Sequence, residues 1–181
     1  MMSHENSIID QLYIGGVELV IYLNERKEIS LSTEAETNFK KNLLLSAASY
    51  FEKVITDLLN SFAESRSNGD PLIIALISTK AIKRQYHTYF AWDTATNANS
   101  FFSHFGQDFK KEMEALVKAD SNLDGAIKAF LQLGQERNKL VHQNFAEVVL
   151  DKTAEEIYKL YQTAIYFLEV IEMKLIPPIN I

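Results

Sequence analysis

Three prolines in 181 residues, Pro71, Pro177 and Pro178, leave long stretches of this chain with nothing to break a helix. Glycine is also scarce, at six residues. Proline removes a backbone donor and collides with the preceding turn, and glycine costs about 1 kcal/mol of helix stability relative to alanine. Their rarity favours long helices and argues against a turn-rich β sandwich. Apolar residues make up 47% of the chain, ordinary for a globular protein, so one domain of this length buries a real core.

Hydrophobic periodicity supports the same reading. Thr33 and Glu36 have capping-box spacing, which predicts a helix start. Phe39, Leu43, Ala47, Tyr50, Val54, Leu58 and Phe62 then recur every three or four residues, the signature of a helix to about residue 65. The run Ser67-Asn68-Gly69-Asp70-Pro71 ends it, and Pro71 suits the first turn of a following helix over 72–89. Residues 92–99 read as a loop, with Ser100 capping a short turn that Gly106 stops. Asp108 is the expected cap of a helix to about residue 119, and Asn122 that of the next, with Leu123, Ile127, Phe130 or Leu131, and Leu140 or Val141 on its core face. Thr153 with Glu156 forms a second capping box, opening a helix that buries Ile157, Tyr161, Ile165, Leu168 and Ile171 and is closed by Pro177-Pro178. The expected fold is all-α, a compact bundle of five or six helices over residues 32–181. Residues 1–31 read as an N-terminal extension, helical and packed on the domain, although Gly15-Gly16 interrupts the stripe of Ile8, Leu12, Leu19 and Leu23.

Several function classes are disfavoured. No segment is apolar for the roughly 18 residues of a membrane span, and no basic leader precedes an apolar run, so a cytoplasmic location with no membrane partner is expected. With no cysteine, disulfides and thiolate zinc sites are excluded. No His-Glu-x-x-His, phosphate loop, dinucleotide glycine pattern or Ser-His-Asp set is visible, so neither metal nor cofactor is expected. The net charge of −6 confines any nucleic-acid contact to a patch or cleft.

The most informative run is Arg137-Asn138-Lys139-Leu140-Val141-His142. On a helix, residues four apart share a face and residues five apart diverge by about 140°, so Asn138 and His142 align while Arg137 reaches across from one side. Leu140 and Val141 are expected to anchor the opposite face. Imidazole titrates near neutrality and serves as acid or base, and guanidinium grips phosphate through two N–H bonds. Asn138 supports either group. These are the components of metal-free cleavage of RNA: a base for the 2′-hydroxyl, an acid for the leaving oxygen and a cation for the phosphorane. One copy supplies one histidine of this run, so a twofold homodimer is the natural form of such a site. The simpler reading is that these cations complement the dipole of a helix end.

Lys80, Lys83, Arg84 and His87 fall at i, i+3, i+4 and i+7, with Tyr86, Tyr89, Phe90 and Trp92 close by. Cations with aromatics hold single-stranded RNA through phosphate contacts and base stacking, and this stripe is the expected substrate path. A solvated face beside core aromatics is the competing account.

Arg137, Asn138 and His142 match the signature of the HEPN superfamily, arginine followed after four to six residues by histidine, often with asparagine after the arginine. The order of a long helix, a loop-rich middle, the motif helix and a final long helix is similar too. Lys83-Arg84-Gln85-Tyr86 through Phe102 and Phe105-Gly106 resembles the RiboL-PSP-HEPN branch. The resemblance covers roughly residues 35–175. It implies a metal-independent, dimeric endoribonuclease with paired Arg137 and His142, and an antitoxin or neighbouring defence protein as partner. It also admits members that have lost catalysis and act as binding or regulatory modules. One toxin branch carries tyrosine two positions after the histidine; Asn144 stands there in this chain.

Overall fold

The structure, a computed structural model, describes residues 7–143, 145 and 147–176. Its elements are α1 (Ile8–Glu25), α2 (Ile29–Arg66), α3 (Pro71–Ile77), α4 (Tyr86–Tyr89), α5 (Asn99–Ser103), α6 (Gln107–Ala119), α7 (Ser121–His142) and α8 (Ala154–Leu175). A π-helical turn, Ser78–Ile82, follows α3 directly. The described chain has no strand, so the all-α expectation holds. There are eight α-helices among the described residues rather than five or six, because the middle of the chain breaks into short pieces. No helix among the described residues is long and apolar enough to cross a membrane.

The frame is α2, α7 and α8, which pack on one another. With 38 residues, α2 is about 57 Å long and also packs on α1 and α3. Phe51 of α2, Phe130 of α7, and Tyr161 and Phe167 of α8 are fully buried together. Phe51 lies 5.5 Å from both Phe130 and Tyr161, and Phe130 lies 5.2 Å from Phe167. Each such aromatic contributes about 1.5–3 kcal/mol on leaving water, with a further increment from ring geometry. Phe39, Leu43, Ala47, Val54 and Leu58 are buried as their spacing predicts, while Tyr50 and Phe62 are half-buried. Of the α8 stripe, Ile157, Tyr161, Leu168 and Ile171 are buried and Ile165 is half-buried.

The N-terminal helix runs unbroken through Gly15-Gly16. A Cβ at Gly16 would overlap the Phe39 ring, so the glycine that looked like a breaker permits close packing on α2. Tyr13 stacks on Tyr158 at 4.0 Å, the Tyr158 hydroxyl donates to Asp10 at 2.9 Å, and the Tyr161 hydroxyl donates to Ser7 at 2.9 Å. Ser7 and Asp10 form a capping box at the start of α1.

Helix boundaries differ from expectation in four places. Thr33 is not a cap: α2 begins at Ile29, and the Thr33 hydroxyl donates to the Ile29 carbonyl inside the helix. Lys27, at φ 63°, makes the tight turn from α1 that allows this early start. Asp120, not Asn122, caps α7, accepting from the backbone N–H groups of Asn122 at 2.9 Å and Leu123 at 3.2 Å. Asp108 sits in the first turn of α6, after Gly106, which is the N-cap residue at φ 97°. Ser100 does not cap α5; Asn97 accepts from the Asn99 N–H instead. The Thr153–Glu156 box at α8 forms as expected. Pro177-Pro178 and Asn144 lie outside the described residues.

The single helix expected over 72–89 does not form. α3 ends at Ile77, the π turn follows, and Arg84 adopts φ 60° before the four-residue α4. A residue other than glycine in the left-handed region cannot continue a helix. Tyr89 stabilises this path, its hydroxyl donating to the Ala81 carbonyl at 2.7 Å.

Candidate functional site

Phe130, Gly134, Arg137 and Asn138 lie at i, i+4, i+7 and i+8 on one face of α7. Ala48, Phe51 and Glu52 stand on the facing side of α2. Arg84, Tyr86, His87 and Trp92 come from the broken segment between them. Together these residues line a cavity of about 310 Å³. Its lining combines aromatic rings with charged and polar side chains.

Gly134 sets how closely the segment approaches. The Trp92 ring lies directly on the α7 backbone there, where a Cβ would overlap it. Trp92 is held from behind by Phe90 at 4.8 Å and Phe130 at 5.8 Å between ring centres. The one tryptophan of the chain is therefore a wall of the cavity.

Arg137 and Asn138 are adjacent in sequence yet reach the same cavity, as a long arginine side chain allows. The Arg137 Nη1 donates to the Asn138 Oδ1 at 3.1 Å. Among the described residues Arg137 makes no ion pair, so its remaining N–H groups are open to an anion. The neighbouring charges are engaged elsewhere: Glu136 faces Lys139 at 3.5 Å and Lys152 at 3.9 Å. Tyr86 lines the same cavity as Glu52 and Arg137. Burial chiefly, with Glu52 adding to it and Arg137 opposing, pushes its hydroxyl well above the ordinary tyrosine range, so it stays a neutral donor.

His142, the last residue of α7, is exposed and does not line the cavity. It lies one turn beyond Asn138 on the same side, about 6 Å along the axis. Leu140 is fully buried and anchors this end of the helix, whereas Val141 is 45% exposed. The expectation that both aliphatics face the core is corrected: Val141 lies 100° round from Leu140, past the edge of the packed face.

The proposed stripe of Lys80, Lys83, Arg84 and His87 is divided by the helix break. Arg84 and His87 join Arg137 and Asn138 at the cavity. Lys80 lines a different cavity of about 390 Å³ with Phe62, Tyr89 and His104, and Lys83 is exposed. His104 is exposed in the turn that follows α5, with its ring 5.9 Å from Tyr89.

Three contributors were missed by sequence reasoning. Glu52 and Gly134 line the cavity. A glycine in mid-helix, one turn before Arg137 and without a capping role, was the available signal for the second. Lys41 is the third: only 3% exposed, its Nζ donates to the Phe145 carbonyl at 2.6 Å and lies 5.0 Å from the Phe145 ring. It ties the segment just after His142 to α2. No group of three or more metal-ligating side chains occurs among the described residues.

The described chain is an all-helical bundle, as the HEPN class requires. The chain belongs to the RiboL-PSP-HEPN family, whose model matches residues 17–176. The match begins inside α1 and reaches the end of the described chain. No curated protein and no solved structure shows significant similarity to it.

Proposed function

We propose that this protein is a metal-independent endoribonuclease, built as a homodimer whose two Arg137/His142 pairs face one cleft. The observation that carries this reading is the gathering of Arg137, Asn138, Arg84 and His87 on one cavity, with His142 exposed one turn away on the same side of α7. Arg137 and Arg84 bind the phosphate, and Arg137 stabilises the charge of the phosphorane. One His142 takes the proton from the ribose 2′-hydroxyl as the 2′-oxygen bonds to phosphorus. The partner's His142 gives a proton to the 5′-oxygen as its bond to phosphorus breaks, leaving a 2′,3′-cyclic phosphate. Asn138 holds Arg137 in place. An exposed His142 fits a group that a second copy completes. In a cell such an enzyme acts on cytoplasmic RNA as a toxin or defence effector, restrained by an antitoxin or a neighbouring defence protein.

The test is cleavage of a defined RNA by the pure protein. His142→Ala is expected to lose at least about 100-fold in rate, the usual contribution of a general acid or base. It should keep the helical circular-dichroism spectrum, since the side chain is exposed. EDTA should leave the rate unchanged. Undiminished cleavage by His142→Ala would refute the assignment. The net charge of −6 favours a second reading, a non-catalytic protein-binding module of the same fold. In that case the pure protein cuts no RNA between about pH 5 and 9, the range over which imidazole chemistry operates.

A further inference from the structure

The cavity holds both signs of charge without joining them. Glu52, half-buried on α2, makes no hydrogen bond or ion pair with any described residue, although Arg84 and Arg137 line the same space. The Tyr86 hydroxyl is likewise without a hydrogen-bond partner among the described residues. A built pocket with an open carboxylate and two open guanidiniums suits a ligand that carries a donor edge at one end and an anion at the other. Its volume of about 310 Å³ is at the small end of the range for single small ligands, about 300–1,000 Å³. Aromatic walls add a stacking surface. A nucleotide has all three features.

The carboxylate discriminates among bases. An ionised carboxylate only accepts hydrogen bonds. Guanine is the one common base with two adjacent donors on its pairing edge, N1–H and the N2 amino group. Adenine and cytosine each set a ring acceptor beside their amino donor, which repels a carboxylate oxygen. Uracil has one N–H flanked by two carbonyls. Two parallel bonds to guanine therefore form where the other bases allow one at most.

We propose that the cavity seats one nucleotide of the RNA, guanosine in preference to the other three, with Glu52 accepting from the base and Arg84 and Arg137 holding the 3′-phosphate. This rests on the ribonuclease reading for the role of Arg137, and it names the residue 5′ of the cut. His87 lines the same cavity.

Trp92 reports on the pocket directly, as the only tryptophan of the chain. Its fluorescence should change on titration with 3′-GMP, with affinity about tenfold or more above that for 3′-AMP, 3′-CMP and 3′-UMP. Glu52→Gln offers one acceptor and one donor, and should bring the four affinities within about threefold of one another. Arg84→Ala should weaken all four alike. Independently, cuts in a mixed-sequence RNA should follow guanosine. Equal affinities, an undiminished preference in Glu52→Gln, no Trp92 response, or cuts after all four bases alike would overturn the proposal. Cleavage without base preference defeats the pocket and leaves the ribonuclease standing. Selective 3′-GMP binding by a protein that cuts no RNA does the reverse.

Discussion

At the scale of single residues, the site depends on one missing Cβ. Gly134 lets Trp92 lie against α7, and Trp92 walls the cavity that Arg137 and Asn138 share. Gly134→Ala improves local helix propensity by about 1 kcal/mol. It also forces the indole off the backbone and against Phe90 and Phe130, an overpacking that costs about 1–3 kcal/mol. The expected outcome is a lower melting temperature and red-shifted Trp92 emission; an unchanged emission spectrum would remove Gly134 from the account. That Arg137 and Asn138 share a helix with His142 one turn on was legible, because such spacing is local; of the three, only Arg137 and Asn138 line the cavity. Glu52 and Gly134 were not legible, since a carboxylate or glycine on a helix means nothing until the opposing surface is known.

At the scale of elements, the position of the site follows from where helices start and stop. α7 is held at its first turn by Asp120, which accepts from the Tyr166 hydroxyl of α8 at 2.7 Å as well as from its own helix. The Tyr166 bond chiefly, and then the backbone N–H groups of Leu123 and Asn122, lower the Asp120 pKa below the ordinary carboxylate range. A carboxylate with a depressed folded-state pKa stabilises the fold above its unfolded value, about pH 4, and loses that contribution as pH falls through the folded value. Glu156 at the cap of α8 is lowered in the same direction, first by the Thr153 N–H and then by its hydroxyl. Asp120→Asn keeps a capping oxygen but does not titrate. Its melting temperature should therefore fall less steeply than that of the wild type between about pH 5 and 2; parallel curves would contradict this linkage. Elements with long, regular stripes were legible: α2 and α8 bury the residues their spacing predicts, Tyr50, Phe62 and Ile165 only in part. The break at 77–85 was not, because nothing in that run forbids a helix. It is decided by the packing of Ile82 and Tyr89 into the core.

For the whole molecule, the paired-motif reading requires two copies. Sedimentation or light scattering should give twice the 20.7 kDa chain mass at concentrations where RNA is cut. Mixing an excess of His142→Ala protein with wild type, after exchange of subunits, should suppress cleavage, since a mixed dimer has one intact motif. Full activity from a monomer would end the two-copy mechanism while leaving the one-copy cavity untouched. Salt should weaken RNA binding only gently, because the acidic surface leaves a few cations, Arg84 and Arg137 among them, to meet phosphate.

The sequence by itself determined the helical class, the long amphipathic elements and the motif on α7. Those depend on interactions within a few residues, and periodicity records them. Only the tertiary structure decided that Arg84 and His87 part company with Lys80 and Lys83 and join Arg137 and Asn138 beside Glu52. That meeting depends on a left-handed Arg84, a broken helix and the contact of Trp92 with Gly134. The Trp92–Gly134 contact and the burial of Ile82 and Tyr89 beside the break join residues that no local pattern relates.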